Sequence, residues 1–201
     1  MLERVRPEIP LEAEIERLAG RYLELEFHKH NKIRMSRGNF KDSIMRLVAP
    51  QPEEFRGRVD SPVAVFGQIP AEDQCKLAGI EYFLKGSNPR DWPEDPHQYK
   101  TPKFLHLVWT DEGARFMNRK VEDVRRELGE HERGGTEFDG IAQYIVKPGV
   151  LSIRSLDLPG TTVESGCAAC LGRWGGRVEL DGRWVGVAHP RFGSLVCGRK
   201  K

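Results

Sequence analysis

Residues 151–187 read LSIRSLDLPGTTVESGCAACLGRWGGRVELDGRWVGV. Short apolar runs are cut by Pro159-Gly160, Gly175-Gly176 and Asp181-Gly182. No run holds a helical period. The segment therefore predicts strands over 151–158, 167–174, 177–180 and 184–187, with a turn at each pair. Asp-Gly between apolar runs is the strongest hairpin signal in the chain.

Upstream of this segment, helical stripes alternate with short strands. Leu11, Ile15, Leu18, Tyr22 and Leu25 step by four and three, one apolar face of about four turns. Pro10 suits the first turn of that helix. Asn39 is expected to cap a second helix over Phe40, Ile44, Leu47 and Val48, which Pro50 stops. A strand over 63–66 and a helix from Pro70 to Gly79 follow, then a strand over 80–84. Residues 85–103 form a long proline-bearing loop, a place where function concentrates. Residues 104–109 are the most apolar strand. Asp111-Glu112-Gly113 predicts a hairpin into 114–117. Val121, Val124 and Leu128 predict a helix. Thr136 with Asp139 resembles a capping box for a helix that Pro148-Gly149 ends.

The expected fold is α+β: a central mixed or antiparallel sheet with packing helices and a β-rich C-terminal unit. The chain of 201 residues suits one domain, with sub-units at 1–60 (helical) and 61–201 (α+β body).

The order Thr136-x-x-Asp139-Gly140-Ile141-Ala142, Lys147-Pro148-Gly149-Val150-Leu151, Ser155-Leu156-x-Leu158-x-Gly160, Arg177-x-x-Leu180, His189-Pro190, Gly193-Ser194 and Cys197 is similar to an uncharacterised family of bacterial domains of unknown function. In that family a short helical pair precedes a compact β unit. The resemblance covers about half of the chain and implies a fold, with no activity attached.

Composition excludes several classes. The longest apolar run is about six residues, at 104–109, far short of the roughly 20 of a membrane-spanning helix. Glu3, Arg4 and Arg6 interrupt any signal-peptide core, so a cytoplasmic protein without a membrane partner is expected. A net charge of +2 does not by itself steer the chain to nucleic acid. The phosphate loop, the dinucleotide fingerprint, His-Glu-x-x-His and Gly-x-Ser-x-Gly are all missing.

Three constellations carry chemical potential. Cys167, Cys170, His189 and Cys197 offer four zinc-type ligands. A strand at Cys167–Cys170, however, points residues three apart to opposite faces. The reading adopted is buried small side chains and no cofactor, with zinc as the alternative. Lys29, Lys32, Arg34 and Arg37 belong to a basic run, from His28 to Arg46, opposed only by Asp42. They are anion-binding candidates, set against a solvated surface. Asp95 and His97, on the long loop, could serve as a general base and its partner, set against a proline-stiffened surface loop.

The function expected is a non-catalytic cytoplasmic binding or interaction module with a protein or small-molecule partner. One alternative is an enzyme of unknown reaction, with its site between the 85–103 loop and the C-terminal β unit. The other is a zinc-stabilised domain that binds nucleic acid.

Overall fold

A computed structural model describes residues 10–84, 96–164 and 166–199. Two units, 1–50 and 51–201, divide the chain.

In the first unit the apolar stripe forms α1 (Leu11–Glu24), with Ile15, Leu18 and Tyr22 fully buried. Tyr22 meets Phe27 edge-on at 4.9 Å. The second helix, α2 (Arg37–Met45), begins earlier than expected. Its cap is Ser36, whose hydroxyl accepts from Asn39 N at 3.2 Å, so Asn39 is inside the first turn. Leu47 and Val48 lie beyond its end.

The second unit contains β1 (Ser61–Phe66), α3 (Ala71–Ala78), β2 (Ile80–Tyr82), β3 (Leu105–Thr110), β4 (Phe116–Met117), α4 (Val121–Glu127) and β5 (Glu132–Gly134). It continues with α5 (Glu137–Val146), α6 (Val150–Ile153), β6 (Ser155–Glu164), β7 (Cys167–Trp174), β8 (Arg177–Trp184), β9 (Phe192–Ser194) and β10 (Val196–Gly198). A four-stranded antiparallel sheet has the order β1-β3-β10-β5, and a six-stranded mixed sheet has β2-β8-β7-β6-β9-β4. The fold is α+β. Pro62 is tolerated because β1 is an edge strand. The helix α5 packs against β1 of one sheet and against β6 and β7 of the other.

The C-terminal segment folds with fewer turns than its sequence suggests. Gly175 and Gly176 do make the β7–β8 turn, both at positive φ, and Trp174 pairs with Arg177 across it. Asp181-Gly182 makes no hairpin. It continues β8, with Asp181 opposite Cys170 and Gly182 opposite Ala169. The earlier diglycine turn sets the register, and this register carries the pair through as extended chain. Pro159-Gly160 is likewise inside β6, where the pairing with β7 shifts between Leu158 and Thr162. It is a bulge, not a turn.

The expected 104–117 hairpin is also absent. β3 pairs with β1 and β10, whereas β4 joins β9 in the other sheet. Asp111 diverts the chain: its carboxylate accepts from Gly113 N and Val196 N, which docks β10 where a hairpin partner would lie.

Candidate functional site

The capping box at the start of α5 is real and carries a second load. Thr136 Oγ1 accepts from Asp139 N, and Asp139 Oδ2 accepts from Thr136 N at 2.7 Å. The same carboxylate is gripped by Arg133 of β5, Nη1 to Oδ2 at 2.6 Å and Nη2 to Oδ1 at 3.1 Å. Both side chains are buried. Burial works against the Asp139 charge, but the Arg133 guanidinium outweighs it and holds the carboxyl below its ordinary value. Burial likewise opposes the Arg133 charge, and Asp139 more than restores it.

Arg133 extends from this pair toward a cavity of about 280 Å³. That is just under the roughly 300–1,000 Å³ of small-molecule sites, so it suits a compact ligand. Arg133 stacks on the Tyr99 ring at 4.0 Å, and Tyr99 N donates to Gly160 O in the β6 bulge. Arg125 of α4 reaches the same bulge, Nε to Pro159 O and Nη2 to Thr162 Oγ1. Arg199, exposed after β10, completes a trio of arginines on the wall. Its backbone N–H donates to His131 O. His97 lines the wall too.

Two glycines let β5 and the bulge meet under the cavity. A Cβ on Gly134 would stand 2.5 Å from Gly160 N, and one on Gly160 would stand 2.4 Å from Gly134 O. Only chains without side chains cross this closely.

The carboxylate in the wall, Glu132, is already committed. It takes two hydrogen bonds from Arg115, at 2.6 and 2.9 Å, and one from Gly129 N. Burial pushes its carboxyl up, and Arg115 with Gly129 brings it below its ordinary value. The cavity wall thus holds three guanidinium groups, with Glu132 bound to Arg115 and Arg133 bound to Asp139.

The residues singled out from sequence are scattered. Asp95 lies outside the described residues. Cys167 and Cys170 sit on β7, whereas Cys197 is on β10 in the other sheet, fully buried beside Asp139. His189 is exposed, with its ring 5.3 Å from that of Phe192. These four are not brought together, and no group of three or more His, Cys, Asp or Glu able to hold a metal occurs among the described residues. Burial pushes the Cys170 thiol up to about 12. Lys29 pairs with Glu26 on the surface. Lys32 and Arg34 lie in the turn before α2 and Arg37 in its first turn, in the other unit from the cavity. Among the described residues no helix is long and apolar enough to cross a membrane.

Of the wall residues the sequence pointed to His97, and it gave no sign of Arg125 and Arg133. The one local signal was the Thr136–Asp139 box, whose acid needs a buried counter-charge once it is taken out of water.

No protein-family model, curated protein or solved structure matches the chain.

Proposed function

We propose that this chain is a non-catalytic binding module whose ligand is a small anion, held in the cavity between α4, β5, the β6 bulge and residues 96–99. One observation carries the reading. Arg125, Arg133 and Arg199 line the cavity, and the acid among them, Glu132, is taken up by Arg115 and Gly129. Arg125 is fixed by its bonds to β6, and Arg133 by Asp139, whose charge offsets its own. Arg199 carries no side-chain partner among the described residues and supplies the adaptable contact. Guanidinium groups match carboxylate and phosphate oxygens in pairs.

The setting we propose is the cytoplasm, which keeps thiols such as those of the four free cysteines reduced. Residues 96–99, at the end of the long loop, line the cavity together with Pro159 of β6. The acid of the wall, Glu132, is already hydrogen-bonded to Arg115, which favours binding over proton transfer by that carboxylate.

Thermal unfolding at low ionic strength tests the proposal, with inorganic phosphate, citrate and a nucleoside monophosphate as probes. A ligand bound only by the folded state raises the midpoint in step with its concentration. Saturable stabilisation by at least one probe is expected, weakened at least about tenfold in affinity by Arg199→Glu, about 1.4 kcal/mol. Midpoints unmoved by all three probes would refute it.

A further inference from the structure

On one face of the six-stranded sheet, Asp157 of β6, Cys170 of β7 and Asp181 of β8 stand side by side in register. Leu158, the next residue, packs against Gly140 of α5, so by alternation Asp157 faces away from that helix. Arg183 of β8 lies across this outer face. Its Nη1 donates to both Asp157 oxygens, at 3.2 and 3.1 Å, and its guanidinium rests 3.9 Å over the Phe192 ring. Its Nη2 donates to Val187 O at 3.1 Å.

Val187 is the tip of a strap, residues 185–191, that joins β8 to β9. The strap is anchored at both ends. Val185 N donates to Gly166 O, Val185 O accepts from Glu122 N, and Arg191 O accepts from Ser155 N. Among the described residues, the bond from Arg183 is the one hydrogen bond that reaches 186–188. One side chain therefore ties a carboxylate that is 2% exposed to an otherwise untethered, exposed tip.

We propose that Arg183 is a proton-operated latch: ionised Asp157 holds its guanidinium across the sheet, the guanidinium holds the strap, and a proton on Asp157 releases both.

Burial lifts the Asp157 carboxyl to about 6, and Arg183 pulls the other way. The groups facing it are few. β7 presents Cys170, whose raised thiol stays neutral throughout this range. β8 presents Asp181 and Arg183 and β9 the uncharged Ser194; Arg183 is the charged group that acts on the carboxyl, while the strap carries His189 and Arg191 exposed, with Glu122 of α4 beside its Gly186. Opening removes the cation and leaves β7 and β9 flanking the acid. The open latch then holds its proton more tightly than the closed one, so protons favour opening.

Backbone 15N relaxation of residues 186–188 in the whole chain, at about pH 7.5 and about pH 5, reads the strap directly. Order parameters near 0.85 mark rigid backbone and values below about 0.6 a flexible one. The expected result is a fall from the first toward the second on acidification. Asp157→Asn should be flexible at both pH values. His189→Gln, which removes the imidazole of the strap, should keep the wild-type dependence. Equal order parameters at the two pH values in the wild type would overturn the latch. So would a dependence abolished by His189→Gln, or one that persists in Asp157→Asn. If Asp157→Asn does not fold, the wild type and His189→Gln decide between them.

Discussion

Arg133 and Asp139 form a two-bond ion pair, at 2.6 and 3.1 Å, with both side chains buried between β5 and the first turn of α5. The pair joins the capping box to the wall of the cavity. Breaking such a pair leaves a buried charge uncompensated, which costs about 3–5 kcal/mol. Asp139→Asn keeps the shape and removes the charge. Denaturant unfolding of the whole chain should register a loss of this size. A loss under about 1 kcal/mol, the worth of an exposed pair, would mean that water reaches Arg133.

The crossing of Gly134 and Gly160 gives a sharper steric prediction. A methyl group on Gly160 meets backbone oxygen at 2.4 Å, and backbone cannot swing aside. Gly160→Ala should cost about 1–3 kcal/mol, the range for overpacking. Gly149→Ala is the control, since no atom lies within 4 Å of its Cβ and its φ is −63°. It should be neutral or stabilise by up to about 1 kcal/mol. Equal effects at the two sites would show that the crossing is looser than drawn.

Leu18 is fully buried in α1. Leu18→Ala should destabilise by about 2–5 kcal/mol and leave the oligomeric mass in solution unchanged. Unchanged stability with an altered mass would make the α1 stripe a contact between copies.

Asp157 and Asp139 pull the pH profile in opposite directions. Burial raises Asp157 to about 6, above the ordinary 3.8, so its favourable contribution is complete below about 3.8 and is lost as pH rises to about 6. Asp139 is lowered by Arg133, so its contribution is present above 3.8 and is lost as pH falls below that. Urea unfolding at steps between about pH 4 and about pH 7 should therefore show Asp157→Asn gaining on the wild type as pH rises, by about 2–3 kcal/mol in all. Parallel profiles would place the Asp157 carboxyl near its ordinary value.

What the sequence disclosed was local. The α1 stripe, the Pro70 and Gly79 bounds of α3, the Thr136–Asp139 box and the diglycine turn each depend on residues within one turn or one hairpin. Asp181-Gly182 misled because a turn dipeptide is also acceptable extended chain, and the β7 partner holds it so. β5, β9 and β10 have three residues each, too few to show a period, and the one-turn helix α6 hid for the same reason. The cavity was out of reach for another reason. Tyr99, Arg125, Arg133 and Arg199 span a hundred residues and meet where Gly134 and Gly160 let two strands cross.

The claim that an anion occupies the arginine-lined cavity is tested most directly by titrating the 15N-labelled chain with inorganic phosphate at low salt, following backbone amides and arginine side-chain N–H resonances together. The account predicts saturable shifts centred on Tyr99, Gly134 and the side chains of Arg125, Arg133 and Arg199, reduced in Arg199→Glu. Shifts confined to the basic run at Lys29, Lys32, Arg34 and Arg37, or shifts that never saturate, would contradict it.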